Sequence, residues 1–204
     1  MRRVALIVLL SITAVSSLAL AGDKDQSPLK PNPAASYPGA QTLDKITIAA
    51  VPYATEEQAA SAFGKVDPYK YGILPVLVVL ENNTGKTLRL DLKAEFLESQ
   101  GKHVEAMPAS DVVLYQGDRK ANWKVPTQSP LPIPRGSKKK GPLNTWEIEG
   151  RAFVAKLVAP GDTVSGFFYF FAENKPGARI YLTGIKDAAS GKDYFYFEVP
   201  FEKE

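Results

Sequence analysis

The chain of 204 residues has no cysteine and a single histidine. Without cysteine there is no disulfide, no thiol nucleophile, no Cys–His pairing and no lipid-modified N-terminal cysteine. With His103 alone, multi-histidine metal sites are excluded. No G-x-S-x-G nucleophile elbow occurs. Gly85-Lys86-Thr87 resembles the end of a phosphate-binding loop, but position 80, where its first glycine belongs, is Leu80. Asp187 and Asp193 flank a turn, but a calcium loop needs more carboxylates at alternate positions. These gaps point to a protein that is not an enzyme and takes no metal or cofactor.

Only one long apolar run is present, and it is N-terminal. Arg2 and Arg3 precede it, Val4 to Ala21 is apolar apart from Ser11, Thr13, Ser16 and Ser17, and Ala19-Leu20-Ala21 supplies an A-x-A cleavage site before Gly22. That is the grammar of a secretory signal peptide over 1–21, with an uncleaved anchor as the alternative. The expected location is therefore bacterial and exported, periplasmic or extracellular. No second run predicts a membrane span after cleavage. An exported chain without cysteine must hold together by core burial alone. A hydrophobic content of 45% with 10% aromatic residues is enough for one sizeable core.

Residues 22–44 hold four prolines and almost no large aliphatic side chain. Such a segment cannot bury enough surface to offset ordering, and reads as a flexible linker. The alternative is an arm packed on the domain, with Tyr37 as its anchor. The domain itself spans 45–204.

Within it, Ile46 and Ile48 alternate around Thr47 as in a strand. Thr55, Gln58 and Gly64 bracket a short helix with a capping box. Ile73 to Leu80 is an apolar run of strand length. Asn82-Asn83-Thr84-Gly85 supplies a tight connection, and Leu88 to Phe96 then alternates apolar with charged residues, a strand with one wet face. Residues 146–158 fit either a short helix or a strand. Thr163–Glu173, Ala178–Ile185 and Lys192–Phe201 are aromatic and β-branched, separated by turns. Gly166–Phe171 is apolar on both faces, so it is either covered on both sides or an edge in need of a partner. Seven to nine strands at short spacing, without crossover helices, predict an all-β antiparallel sandwich with one short helix and a long Pro/Lys-rich loop.

Two stretches carry a family resemblance. "ENNTGKTLRLD" is similar to the N-x-[S/T]-x-K-x-L hairpin between early strands of bacterial extracellular immunoglobulin-like domains. "APGDTVSGFFYF" is similar to their later P-G-[DE]-x-x-x-G-x-[FLV]-x-F stretch, in which Pro-Gly turns the chain and the second glycine allows close packing. The chain thus resembles secreted immunoglobulin-like sandwiches of the DUF4352 and antigen-like kind over roughly 70–100 and 155–201. The resemblance implies an immunoglobulin-like β-sandwich serving as a structural or adhesive accessory domain. It implies no active site.

Two surfaces stand out as candidate binding sites. Arg119, Lys120, Lys124, Arg135, Lys138, Lys139 and Lys140 lie in a proline-punctuated stretch, 119–140, that has no acid, and Trp123 and Trp146 bracket its densest part, Lys138 to Lys140. Removing Arg2 and Arg3 lowers the net charge from +3 to +1, and this stretch alone contributes +7, which leaves −6 elsewhere. Such clustered charge suits an anionic envelope component or acidic protein partner. Solvated decoration is the plainer reading. Export and the lack of base-stacking motifs argue against nucleic acid. In "KDYFYFEVPF" the alternation puts Phe195, Phe197, Val199 and Phe201 on one face and Tyr194 and Tyr196 on the other. With Tyr181 these tyrosines form an alternative platform for carbohydrate. His103 reads as an exposed turn residue.

Overall fold

The computed structural model describes residues 29–116 and 141–202. They form nine strands in two antiparallel sheets: β1 (Gln41–Leu43), β2 (Ile46–Pro52), β3 (Ile73–Asn82), β4 (Leu88–Leu97), β5 (His103–Glu105), β6 (Leu157–Val158), β7 (Thr163–Phe171), β8 (Arg179–Asp187) and β9 (Tyr196–Pro200). One sheet has the order β1-β2-β3-β7. The other has the order β5-β4-β8-β9, with β6 also pairing β4. Among the described residues no helix is long and apolar enough to cross a membrane.

β2 and β3, the central strands of the first sheet, are buried on both faces. On β3, Leu74, Val76, Val78 and Leu80 point between the two sheets, where they meet Leu90, Phe96, Leu182 and Val199. Ile73, Leu77 and Val79 point the other way. There they meet three short helices, α1 (Glu56–Phe63), α2 (Ala109–Val113) and α3 (Trp146–Gly150), through Phe63, Val112 and Ile148. This second layer explains the unbroken apolar run of β3, since a strand covered on both sides has no wet face to mark. The second sheet is covered on one face only, and β4 alternates accordingly.

The helix read from sequence is present with its capping box: the Thr55 side chain accepts from the Gln58 amide, and Gln58 returns to the Thr55 amide. The expectation of one helix is corrected to three. Residues 146–158 prove to be both of the readings left open, a turn of helix and then an extended run ending in β6.

Two further expectations change. The "ENNTGK" turn is not a hairpin. β3 and β4 lie in different sheets, and the turn carries the chain across the core between them. Asn82 organises this arch. Its Nδ2 donates to the carbonyls of Lys86, Val158 and Ala159 at 2.7, 3.0 and 3.1 Å, and its Oδ1 accepts from the Thr84 amide and hydroxyl. A hairpin and an arch draw on the same turn residues, so local sequence does not separate them. Residues 29–43, within the expected linker, pack as an arm. Ala34 is buried and its amide donates to Glu81 at 2.6 Å, Tyr37 packs under the first sheet, and β1 pairs β2. A Cβ at Gly39 would overlap the Pro200 carbonyl oxygen, at 1.8 Å, so the arm lies directly on the end of β9. Residues 22–28 fall outside the described residues.

Candidate functional site

Arg119, Lys120, Lys124, Arg135, Lys138, Lys139 and Lys140 lie outside the described residues, as does Trp123. The flanks of their segment are placed. A Cβ added to Gly141 would lie 2.6 Å from the Tyr115 carbonyl oxygen and 2.9 Å from that of Val113. Gly141 therefore sits beside the end of α2 and the residues that follow it. Leu143 and Ile148 then return directly to the core. Trp146, the other bracket, is half-exposed, with the Arg151 guanidinium 5.7 Å from its ring centroid.

The three tyrosines do not form one platform. Tyr194 is 6% exposed and belongs to the core between the sheets, with the Lys192 ammonium 5.1 Å from its ring. Phe195 turns outward instead and is 76% exposed at φ 60°, its amide donating to Asp193 at 2.8 Å. One residue in the left-handed region shifts the alternation ahead of β9, so Phe197 and Val199 remain inside as expected while Tyr194 and Phe195 exchange places. Tyr181 and Tyr196 do come together on the outer face of the second sheet. Their ring centroids are 5.1 Å apart with 28° between planes, so each ring covers one face of the other.

His103 opens β5. Its Nδ1 lies 2.8 Å from Glu95 on that same outer face, and both side chains are accessible to solvent. Asp187 is not a solvated turn carboxylate. It is 1% exposed and accepts from the Ala189 and Ser190 amides at 2.9 Å each and from Lys86 at 2.8 Å. The Lys86 ammonium, aided by the amides, holds its carboxyl well below the usual carboxylate range.

A window opens in the seam between the sheets. β7 is the edge of the first sheet, and the outer edge of β4 faces it across the seam. Two chain segments bridge the gap. At one end Ala106 donates to Ala94 and the next residue, Met107, donates to Tyr169 at 2.7 Å. At the other, Phe153 donates to Phe167 at 3.0 Å, and Lys156 accepts from Leu90 at 2.8 Å. Gly166 permits the second bridge, because a Cβ there would lie 2.4 Å from the Phe153 Cα. The bridges thus supply the partners that the apolar edge strand needed.

Between the bridges a cavity of about 660 Å³ opens onto the core. Its size is that of a small-molecule or peptide site. Its floor is Phe153 stacked on Phe168, with centroids 5.4 Å apart and 16° between planes. Leu92 and Ala94 form one wall. The rim carries Glu95 and Glu105 at the β5 end, Lys156 at the β6 end and Lys93 between. On β4, the residues between Leu90 and Lys93 have no register partner on β8, because a bulge there sets two residues against Gly184. β5 and β6 take only the two ends of the opposite edge of β4. The alternation of β4 runs unbroken through Asp91-Leu92-Lys93, so the sequence carries no signal of the window, and nothing local told which strands would flank it.

The fold and site define the class: an all-β protein of two packed antiparallel sheets. No protein-family model matches the chain, and no curated protein matches it either.

Proposed function

We propose that this chain is an exported, non-catalytic interaction domain with an immunoglobulin-like sandwich, docking through residues 119–140 to an anionic envelope component or an acidic protein. Strand order supports the immunoglobulin-like part. β2, β3 and β7 correspond to A, B and E of one sheet, and β4, β8 and β9 to C, F and G of the other, with β5 added beside β4. The connections β3–β4 and β7–β8 change sheets, and β8–β9 is a hairpin, as that topology requires.

The observation that carries the docking reading is the closure of the segment at its base. Gly141 rests against the carbonyls of Val113 and Tyr115, so the two ends of the segment lie side by side. A long connection between ends that lie so close is uncommon in a compact domain unless it is functional or a linker. Each Lys or Arg near an anionic surface contributes about 1 kcal/mol, which makes four or five of them sufficient for attachment.

The experiment is co-sedimentation with anionic and with neutral vesicles at low and high salt. Binding to anionic vesicles is expected at low salt, to weaken as salt rises, and to be lost when Arg135, Lys138, Lys139 and Lys140 are all replaced by Gln. Equal binding of that variant would end the reading. A second reading, a carbohydrate-binding module, is favoured by the outward setting of Phe195 beside Tyr196, which is 52% exposed. A glycan array separates the two.

A further inference from the structure

We propose that the window between β4 and β7 binds a short zwitterionic peptide, about three residues long, held in extended form along the open edge of β4. The proposal goes beyond docking through residues 119–140 and uses none of them.

Three observations converge on that occupant. The first is the edge itself. β5 and β6 both run antiparallel to β4 and pair its two ends, at Glu95–Leu97 and at Leu88–Arg89. The bridges add one bond each, at Ala94 and at Leu90. Between them, from Asp91 to Lys93, β4 has no strand partner on that side. At roughly 3.3 Å per residue this is about 10 Å of strand edge, the length of a tripeptide. Main-chain bonding to such an edge is a general mode of peptide capture.

The second is the floor. A peptide continuing the line of β5 sets its middle residue opposite Leu92, which packs toward the core between the sheets. Cross-strand neighbours point to the same side. The middle side chain therefore enters the cavity and meets the stacked Phe153 and Phe168, so it must be apolar. The flanking side chains point to solvent and are left unspecified.

The third is charge. Among the described residues, Lys93, Lys156 and Glu105 make no ion pair. Glu105 stands directly opposite Glu95, a like-charge pair that a cation relieves. A peptide antiparallel to β4, as β5 and β6 are, brings its N-terminal ammonium to Glu105 and Glu95. Its C-terminal carboxylate then falls beside Lys156. The two ends of the window are opposite in sign, and a free tripeptide has that polarity and that length.

The test uses the purified protein and the peptide Thr-Leu-Thr in three forms: free termini, N-acetylated and C-amidated. Calorimetry gives affinity, and amide NMR shifts give location. The free form is expected to saturate the protein, with shifts at Leu92, Ala94, Ala106, Phe153 and Phe168. Acetylation and amidation should each weaken binding by about fivefold, the size of a partly exposed charge pair. In Glu105→Gln acetylation should lose its effect, and in Lys156→Gln amidation should lose its effect, which is the signature of direct coupling. Both positions are exposed, so neither variant threatens folding. Absence of saturation at millimolar peptide would overturn the proposal. So would shifts confined to the outer face of the second sheet, or blocked peptides that bind as tightly as the free one.

Discussion

Asp187 illustrates how one side chain fastens two sheets. It ends β8, and its partner Lys86 comes from the arch that leaves β3. The carboxylate also caps the turn to β9 through two amides. Its acidity is enhanced in the fold, so the native state holds fewer protons at this site than the unfolded chain does. The stabilisation is complete above the ordinary carboxylate range, near pH 4, and is lost as pH falls below it toward the lower native value. Asp187→Asn removes the titration and the attraction to Lys86. The expected outcome is a lower melting temperature at neutral pH and a flatter decline between about pH 4 and pH 2, read by calorimetry at several pH values. An unchanged acid limb would show that another carboxylate governs acid unfolding. In the sequence this residue looked like half of a weak calcium loop, because burial cannot be seen in a turn of small polar residues.

At the scale of elements, the β4–β8 pair is shaped by its bulge. Gly184 has φ 88°, and a Cβ there would lie 2.1 Å from the Asp91 carbonyl oxygen. Both the dihedral and the contact demand glycine. Gly184→Ala is expected to cost about 2–4 kcal/mol by combining left-handed strain with overpacking. Gly85, in the arch, also has a positive φ, but nothing lies within 4 Å of its added Cβ. Gly85→Asn should cost under about 1 kcal/mol, since asparagine tolerates that conformation. Denaturant titration of the two variants checks the contrast, and equal losses would refute it. Most elements were legible. Thr55 and Gln58 announced α1, and the period of two announced β4. Tyr194 and Phe195 were misassigned because one positive φ reverses the faces, and Asp193, which holds that turn, gives no periodic signal.

For the whole molecule, the arm before β2 is the sharpest departure from the sequence reading. A tether could be removed without effect. The arm instead buries Ala34, engages Glu81 and extends the first sheet by β1. A chain beginning at residue 45 is expected to melt roughly 5 °C or more below one beginning at residue 29, equivalent to about 2 kcal/mol for a domain of this size. Identical melting would restore the linker reading. The sequence by itself determined the β character of the chain, the helix with its capping box, the turns, the charge asymmetry and the absence of thiol and multi-histidine chemistry. These are local or compositional, set by alternation, side-chain capping and counts. Only the tertiary structure decided that the "ENNTGK" turn crosses between sheets, that the arm packs, that Tyr194 is buried, and that a window opens over Phe153 and Phe168. Each of those depends on which distant segments meet. Local turn chemistry and side-chain period are the same for either partner, so burial between elements far apart in sequence makes the choice.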